Sequence, residues 1–520
     1  MHLYDAHVSV RMQGGKTMEK KLFDEITNID CVIDFGTANT VGAYQNPVFK
    51  VPMCVPMSDG GYKLSTALYI ESDTHYAVGS VAKDQSILEP DKVETDIKKK
   101  LGSSEKTTLN GIGFSKEQMA ALVMKEAVRS IEHELGRNVK NVLLTVPAAF
   151  TPHERKAIIC AAEIIGLNVV ELLDEPIAAA IGYIETKNQE GTMVLIDIGA
   201  GTSDFFALDY HNQKLTPLLK DGISDHGGND YTDALKEGIK KQIGWKSSED
   251  FRSKQEEQIL SGKAEEMKQR LSKLEKDQIV LTTGGQTKLV KVTIKEFESW
   301  TRPQQDILLN KLEEFKKNLT EVGVKNIDKV VMTGGGGSMP QIKKLAEEVF
   351  GVEPIEHDCN YAVAKGAVIY SQNPEKYSII GKAYGVRVLT MKGEPKINNI
   401  IKACDICPVV QKKSYETICD DQERVTLKIY ESHAVEQYIK EAEGIFLGNV
   451  VLLLPPGLKK GASIEVEFKL DKSGLLSVMA KEKESGRSVA VSFEPEGVMD
   501  FRPVKEQRAE IEKFLENTEG

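Results

Sequence analysis

The chain has 520 residues, a formal net charge of −11 at pH 7, 41% hydrophobic residues and 28% charged residues. This composition is ordinary for a soluble globular protein, and the length predicts roughly two to four domains. The negative charge argues against nucleic acid or an anionic membrane as the main partner. No apolar run is long enough for a membrane span, and the N-terminus lacks the apolar segment of a signal peptide.

The cysteines and the first residues carry little functional signal. Seven cysteines are scattered without the spacing of a disulfide framework, which favours a reducing, cytoplasmic compartment. Cys404 and Cys407 have Cys-x-x-Cys spacing, but no second pair accompanies them, and we expect no metal or redox role there. Residues 1–20 are polar and without pattern, which predicts a disordered leader, and translation could begin at Met1 or at Met18.

The first predicted strand runs into Asp34 and a glycine, and a lysine run follows at 98–100. A lysine run is usually a solvated face, so Lys98 as a catalytic cation is one of two interpretations. Ser115 and Gln118 form a capping box that predicts a helix from 115 to 135.

Strands and helices then alternate up to the middle of the chain. The predicted elements are a strand at 141–146, a helix at about 153–165, a strand at 169–173 and a helix at 177–185. Glu175 lies between the last two, and strand-to-helix junctions often carry site residues in α/β proteins. The alternative is an acid that interacts with the helix dipole.

The most informative stretch is 194–206, where an apolar run ends in Asp197 and a glycine-rich bend leads to Thr202 and Asp204. Glycines let backbone N–H groups approach a phosphate, and the threonine adds a donor. Two carboxylates beside a phosphate would repel it, so the pattern predicts a hard cation such as Mg²⁺ between them. An acidic turn after a core strand is the alternative, but the motif also occurs at 32–37, which favours a site.

The following segments continue the α/β pattern. We predict helices at 231–243, 254–276 and 307–319, strands at 278–281 and 288–293, and a strand at 330–333 that runs into glycines 334–337. Leu274 belongs to the predicted apolar stripe of the second of these helices. The alternation predicts α/β architecture. The duplicated Asp34 and Asp197 motifs predict two related lobes that hold a nucleotide between their glycine hairpins.

Several segments, in the same order and at roughly the same spacing, resemble DnaK-type heat-shock chaperones. They are Asp34-Phe35-Gly36-Thr37, 145–150, 174–180, 197–202 and 334–335, with Pro408, 415–427 and 464–478 similar to that family's peptide-binding sandwich. The resemblance covers about residues 29–494. It implies a two-lobed, actin-like α/β ATPase domain at 21–374, a linker at 375–385, an all-β sandwich at 386–496, and a short C-terminal helix or tail at 497–520.

The resemblance also implies roles for individual residues. Asp34 and Asp197 would hold Mg²⁺ through its water shell, with K⁺ left open as a second cation. The implied catalytic residues are Lys98 beside the γ-phosphate, Glu175 and Asp204, which place water and ions, and Thr202, a hydroxyl donor. The implied ATP- or ADP-binding residues are Gly36, Thr37, Ala38, Gly199, Ala200, Gly201, Thr202, Gly227, Gly228, Glu265, Lys268, Ser272, Gly334 and Gly335. Such phosphoryl transfer to water depends mostly on positioning and charge neutralisation.

The adenosine side departs from the family pattern. The family commonly clamps adenine between two arginines, and this chain has Gln269 and Ser338 at those positions. Each lost cation–π contact is worth about 0.5–2 kcal/mol. We therefore expect weaker nucleotide affinity or relaxed base selectivity.

Alternating apolar residues after about 384 predict a β-sandwich, and most of them must be core faces. By resemblance, a groove for an extended, hydrophobic peptide would be lined by Val386, Val388, Leu389, Tyr415, Ile418, Val425 and Leu427. Leu389 and Ile418 would arch over the peptide. A short insertion around 390–399 leaves the register of the first loop open.

Other departures concern coupling and partners. The expected linker at 375–385 is not the family's acidic, leucine-rich segment, and Glu171 stands where the family often uses an arginine to engage a J-domain. A J-domain co-chaperone and a nucleotide exchange factor are therefore doubtful partners. Only 26 residues follow Glu494 (520 − 494), with one amphipathic helix at 504–515 and no long helical lid, which predicts fast peptide release. We expect a monomer without nucleic-acid or membrane partners.

We therefore expect an ATP-dependent chaperone-like protein. The alternatives are a nucleotide-binding interaction protein with little or no turnover and a small-molecule kinase of the same superfamily. A kinase would need an acceptor pocket with its own base, and it would leave the β-sandwich unexplained.

Overall fold

The computed structural model describes residues 29–103, 105–148, 150, 152–212, 214–245, 251–283, 285–373, 383–389, 394–402, 409–432, 437–470, 476–493 and 503–519. The expected leader, Cys404, Cys407 and Pro408 lie outside these ranges. So do 375–382 of the expected linker and 390–393 of the expected insertion.

The first part of the chain alternates strands and helices. Its elements are β1 (Cys31–Phe35), β2 (Asn39–Gln45), β3 (Pro52–Cys54), β4 (Leu64–Ser65), β5 (Leu68–Ile70), β6 (Tyr76–Val78), α1 (Ser80–Leu88), β7 (Val93–Glu94), β8 (Thr107–Leu109), β9 (Ile112–Phe114), α2 (Lys116–Leu135), β10 (Asn141–Val146), α3 (Pro152–Ile164), β11 (Asn168–Asp174), α4 (Glu175–Lys187), β12 (Gly191–Ile198), β13 (Ser203–His211) and β14 (Lys214–Ile223).

The alternation continues to residue 372. The elements are α5 (Gly228–Ile243), α6 (Phe251–Leu271), β15 (Lys276–Thr283), β16 (Gln286–Thr293), α7 (Ile294–Trp300), α8 (Arg302–Glu321), β17 (Lys329–Thr333), α9 (Pro340–Phe350), β18 (Pro354–Glu356) and α10 (Ala362–Gln372).

The C-terminal part consists of strands and one helix. They are β19 (Ala383–Leu389), β20 (Pro395–Ile401), β21 (Val409–Glu416), β22 (Arg424–Ser432), β23 (Tyr438–Lys440), β24 (Ile445–Leu453), β25 (Ser463–Leu470), β26 (Leu476–Glu482), β27 (Ser488–Phe493) and α11 (Val504–Glu519).

Most predicted elements agree with the structure in type, and the differences lie at their ends. The capping box of Ser115 and Gln118 begins α2, and Gly136 ends it in the left-handed conformation with φ 64°. The predicted helix at 254–276 is wrong at its C-terminal end, because α6 ends at Leu271. Leu274 is 50% exposed and does not belong to the buried face of α6.

Two sheets in the first part of the chain repeat one design. The first sheet has the order β11-β10-β1-β2-β3 with β4 beside β2, and the second has the order β14-β13-β12-β17-β18. In each sheet the central strand, β1 or β12, is antiparallel to the next strand in the chain. On its other side it is parallel to a later strand, β10 or β17. The repeat extends to register, because Asp34 is opposite Thr145 and Asp197 is opposite Thr333.

The helices α4 and α10 connect the two sheets through one hydrophobic core. Their apolar faces share this core with Val32 of the first sheet and with Leu195 and Phe206 of the second. The helices cross closely because Gly366 faces the carbonyl oxygen of Ala178, and a Cβ on Gly366 would collide with it. This close packing fixes the distance between the two sheets.

The C-terminal strands form a sandwich around a separate core. One sheet has the order β23-β20-β19-β22-β24 and the other the order β21-β25-β26-β27. Alternate side chains such as Ile429, Val466, Phe468 and Val478 point into a shared core and are fully buried. Period-two alternation is the sequence signal that predicts such a sandwich.

The C-terminal helix α11 packs against the first part of the chain rather than on the sandwich core. Ile511 and Phe514 belong to the core that α2, α3 and β9 also form. The Phe514 ring lies 5.5 Å from the ring of Phe114 and 5.7 Å from that of Tyr76. Ser115 Oγ donates a hydrogen bond of 2.8 Å to Gln507 Oε1. Within the described residues, none of the helices combines the length and apolar character needed to cross a membrane.

Truncating the buried ring of α11 should detach this helix. Phe514 is 8% exposed, and Phe→Ala in a core costs about 3–5 kcal/mol. A 16-residue helix is only marginally stable alone, so Phe514→Ala should abolish amide hydrogen-exchange protection in α11 while β10 and β12 stay protected. Glu512→Ala, at an exposed position of the same helix, is the control. Unchanged protection of α11 in Phe514→Ala would contradict this packing.

Candidate active site

Two glycine hairpins form the centre of the candidate site. Gly36 N donates to Asn39 O at 3.0 Å in the β1–β2 bend, and Gly199 N donates to Thr202 O at 2.9 Å in the β12–β13 bend. A Cβ on Gly201 would lie 3.1 Å from Thr37 Oγ1, so the two bends approach each other. The structure therefore brings together the two motifs that the sequence shows as a repeat.

Three carboxyl groups lie where β1, β12 and β13 meet the hairpin bends, with Asp197 and Asp204 buried and Asp34 half-buried. Thr145 Oγ1 donates to Asp34 Oδ1 at 2.8 Å, and the backbone N–H of Ala148 donates to Asp204 Oδ1 at 2.9 Å. Asp197 is 5% exposed, and among the described residues its Oδ1 has no hydrogen-bond partner.

Burial and mutual repulsion raise the pKa of all three groups. Burial, and then the charge of Glu175, raise the pKa of Asp34 to about 6 and that of Asp204 to about 7. Burial followed by the charges of Glu175, Asp204 and Asp34 raises the pKa of Asp197 well above its ordinary value. A positive charge placed among these carboxylates would relieve their repulsion.

The donor set fits a hydrated divalent cation. Carboxylate oxygens are the ligands that Mg²⁺ prefers, and Mg²⁺ usually keeps several waters. Asp197 Oδ1 is a buried acceptor available to such a water. In the described ranges, no three His, Cys, Asp or Glu side chains converge as ligands on one point, so contact through water fits better than a closed ligand cage.

Lys98 supplies a buried positive charge that acts on Asp34. Its Nζ lies 2.7 Å from Glu175 Oε1, and its side chain is 4% exposed. The ammonium also lies 5.5 Å from the centre of the Phe150 ring. The lysine run is thus not a uniformly solvated face, and Glu175 does more than begin α4.

Three of the other predicted glycines, Gly227, Gly228 and Gly334, pack closely against the second hairpin and its strand. Gly228 N donates to Gly199 O at 2.8 Å, which joins the start of α5 to the second hairpin. A Cβ on Gly227 would lie 2.7 Å from the backbone of Ala200, and one on Gly334 would collide with Asp197 Oδ1. Gly335 faces open space, and Ala38 is exposed.

Glu265, Lys268 and Ser272, which are predicted to bind the nucleotide, form one hydrogen-bond network with α5. Lys268 Nζ lies 2.6 Å from Glu265 Oε2 and donates to Gly228 O at 2.7 Å. Thr232 Oγ1 donates to Glu265 Oε2 at 2.5 Å. Ser272 Oγ donates to Lys268 O at 3.0 Å, so its hydroxyl is directed to the helix backbone.

The two positions that lack arginine are satisfied locally. Gln269 is exposed, and its Nε2 donates to Glu265 Oε1 at 2.9 Å. Ser338 Oγ donates to Glu356 Oε2 at 3.2 Å, and Lys343 pairs with the other oxygen of the same carboxylate. Neither side chain offers the flat cation that stacks on a base.

The predicted peptide-groove residues differ in exposure. Leu389 and Ile418, the predicted arch residues, are 63% and 79% exposed. Val386 and Leu427 are buried in the sandwich core. Val388, Tyr415 and Val425 are half-buried at the edge of this core.

Sequence reasoning did not find a buried ionic cluster near the start of α4. Asp174 pairs with Arg155 from α3 and with Lys220 from β14, so the cluster joins the first sheet to the second. Burial alone would raise the pKa of Asp174, but the two cations hold it well below its ordinary value. The only sequence signal was the position of Asp174 before Glu175, and nothing in the spacing pairs it with 155 or 220.

The sandwich reaches the same cluster through Tyr384 and Glu431. Burial and then Glu431 raise the pKa of the Tyr384 hydroxyl well above its ordinary value. The charges of both residues also act on Arg155, which places β19 and β22 near α3. Glu171, in contrast, accepts a hydrogen bond from Tyr370 Oη near the end of α10.

A family model described as Hsp70 protein matches residues 103–519. The chain belongs to the Hsp70 family. Its relatives include the chaperone protein DnaK of Thermosipho melanesiensis, which is 30% identical over 477 residues, or 88% of this chain and 78% of the relative. DnaK of Thermotoga maritima is 30% identical over 478 residues with the same coverage. DnaK of Halobacterium salinarum is 27% identical over 504 residues, or 94% of this Hsp70 protein and 78% of the relative.

These matches confirm the family resemblance in the sequence. The match over 103–519 includes the second glycine hairpin and the sandwich. The relatives cover 88–94% of the chain. The departures at Gln269, Ser338 and Glu171 therefore occur within a true Hsp70 chain.

The ionic cluster should contribute stability that acid removes. Because the folded pKa of Asp174 lies below its unfolded value of about 3.9, its contribution is complete above the unfolded value and is lost as the pH falls from there through the folded pKa. Asp174→Asn should lower the free energy of unfolding at pH 7 by about 3–5 kcal/mol and reduce its fall below about pH 4. Urea unfolding at several pH values measures both effects.

Asp84→Asn, at an exposed position, is the control for this titration. It should leave both the stability at neutral pH and its pH dependence unchanged. An Asp174→Asn variant with the acid sensitivity of the original protein would show that the cluster does not carry this energy.

Proposed function

We propose that this Hsp70 protein is an ATP-dependent molecular chaperone that hydrolyses ATP and binds extended hydrophobic peptide segments. The observation that carries the proposal is the convergence of the two glycine hairpins, with Asp34, Asp197 and Asp204 beside the Lys98–Glu175 pair. A site that gathers this much negative charge needs a cation, and a metal-bound triphosphate supplies one together with groups for the hairpin N–H donors.

The proposed domains follow the two cores of the chain. Residues 21–374 would form a two-lobed, actin-like ATPase domain, with the first and second sheets as the lobes and the hairpins in the cleft between them. The linker would span 375–385, the substrate domain 386–496, and the C-terminal helix or tail 497–520. Separate cores for the sandwich and the preceding sheets support this division.

Bound Mg²⁺ would neutralise phosphate charge, held through water by Asp34 and Asp197, with K⁺ as a second cation of the cleft. Glu175 Oε1 lies 2.7 Å from Lys98 Nζ and would hold this ammonium in contact with the terminal phosphate. Asp204, whose carboxylate is held by the backbone N–H of Ala148 at 2.9 Å, would help to place the attacking water and the ions. Thr202 and Thr37 would donate hydroxyls to phosphate oxygens, while the bends of Gly36–Ala38 and Gly199–Gly201 supply N–H groups.

Glu265, Lys268 and Ser272 would lie along the adenosine, and Gly227, Gly228, Gly334 and Gly335 would line the passage to the phosphates. Gln269 and Ser338 replace the expected arginines and are bonded to Glu265 and Glu356. We therefore expect ATP affinity below that of arginine-clamped relatives by about fivefold to several hundred-fold, for two lost contacts at about 0.5–2 kcal/mol each.

The sandwich would bind peptide along the surface between Leu389 and Ile418, which stand exposed above half-buried Val388, Tyr415 and Val425. Val386 and Leu427 would support this surface from the core. Coupling to nucleotide would pass through Tyr384 and Glu431 to Arg155. Co-chaperone contact at Glu171 is less favoured, because that carboxylate is held by Tyr370.

A second candidate function is a nucleotide-binding interaction protein with little or no turnover. The local hydrogen bonds of Gln269 and Ser338 and the acid at Glu171 favour it. The two candidates differ in the rate of ATP cleavage.

Single-turnover ATP cleavage should depend on the cleft residues. Asp197→Asn and Thr202→Ala each remove a group beside the phosphates, and each should slow cleavage by about 100-fold. Asp73→Asn, at an exposed position, is the control and should leave the rate unchanged. Equal background rates in all four proteins would exclude hydrolysis and favour the second candidate.

Peptide binding should depend on Val425 but not on its neighbour. Val425→Phe places a larger ring at the half-buried edge of the groove and should weaken binding of an unfolded fluorescent peptide by at least about tenfold, the scale of one buried aliphatic contact. Thr426→Phe makes the same ring on an exposed position of β22 and should have little effect. Anisotropy titration measures both, and an equal response of the two variants would reject the groove.

A further inference from the structure

The lysine run contains a second side chain that reaches the candidate phosphate site. Lys98 turns inward to Glu175, whereas Lys99 extends toward the other hairpin. A Cβ on Gly201 would lie 3.0 Å from Lys99 Cε and 3.1 Å from Thr37 Oγ1. The stem of Lys99 therefore crosses from the side of the first sheet and packs over the bend that belongs to the second sheet.

The turn that carries these lysines is held by contacts with α2 and α3. Gly102 ends it with φ +81°, and a Cβ there would collide with the ring of His153. The N–H of Gly102 donates to Glu117 Oε1 at 2.9 Å, and its carbonyl oxygen lies 2.6 Å from His153 Nε2. The backbone position that directs Lys99 across the cleft is thus fixed on both sides.

The Lys99 ammonium is available for an anion. Throughout the described ranges, no carboxylate lies within ion-pair distance of it, although four acidic side chains surround the cleft floor. Its side chain is exposed, and an ammonium has three N–H donors that need acceptors. The stem lies against the Gly201 bend, which leaves the ammonium beside the hairpins.

We propose that Lys99 is a second phosphate-binding cation, which lies across both hairpins and contacts the terminal phosphates of the bound nucleotide. This inference rests on the proposed nucleotide site. Lys98, fixed by Glu175, would act on the phosphates from within the cleft, and Lys99 from its mouth. Because both hairpin bends and both lysines lie at the end of the cleft marked by Asp34 and Asp197, the ligand contacted is a di- or triphosphate group rather than the nucleoside.

The test compares two adjacent lysines with the same change of charge. Lys99→Gln should weaken binding of Mg²⁺-ATP about tenfold, binding of ADP less, and binding of AMP not at all, on the scale of one charge-assisted hydrogen bond. Lys99→Arg should restore most of the ATP affinity. Lys100→Gln, at an exposed neighbouring position, should bind all three nucleotides like the original chain. Calorimetry on the full-length proteins measures the affinities, and thermal unfolding checks that all are folded.

Two results would overturn the inference while leaving the proposed function intact. One is ATP binding by Lys99→Gln that equals binding by Lys100→Gln. The other is an equal loss of affinity for ATP and AMP in Lys99→Gln, which would point to a distorted site rather than a lost phosphate contact. If the original chain binds none of the nucleotides, the proposed function fails and this inference fails with it.

Discussion

Electrostatic repulsion at the meeting point of the two hairpins is the constraint on which the site depends. Asp197 and Asp204 are buried beside the half-buried Asp34 and Glu175, and burial together with the neighbouring carboxylates raises the pKa of the three aspartates. Such a cluster is destabilising unless cations offset its charge. Lys98 offsets part of it.

The hairpins meet because the protein holds its two sheets at a fixed distance. The crossing of α4 and α10 at Gly366 sets this distance. The Asp174 cluster also joins the sheets, near the start of α4. The helix packing is close, whereas the ionic cluster consists of three charged groups, and a rotation of one sheet would separate Lys220 from Asp174. The same cluster receives the charges of Tyr384 and Glu431 from the sandwich. The cluster therefore lies in contact range of both sheets and of the sandwich.

Sequence patterns predicted most of the architecture because they depend on local or repeated signals. Glycine bends after buried strands located both hairpins, and the capping box of Ser115 and Gln118 located α2 to within one residue. The end of α6 was missed because the apolar spacing to Leu274 continued past the last helical turn at Leu271. The spacing of apolar residues alone does not show where a helix ends.

Contacts between distant segments could not be predicted in this way. Asp174, Arg155 and Lys220 come from three elements, and only the folded chain shows that they share a buried site. The path of Lys99 over Gly201 depends equally on how two sheets approach each other. Motif and resemblance could suggest which residues would face a nucleotide, Lys98 among the three lysines included, but not which neighbours hold them.

The placement of α11 bears on how this protein can be divided for study. A fragment cut within 375–385 would lose α11, although that helix completes the core around Phe114 and Tyr76. The freed fragment would present a fresh apolar surface to water and be prone to self-association. It would also lose the hydrogen bond between Gln507 and Ser115, the helix cap two residues before Glu117. Glu117 in turn accepts the hydrogen bond from Gly102 at the end of the lysine turn. Poor turnover by such a truncated piece would therefore say little about the intact enzyme.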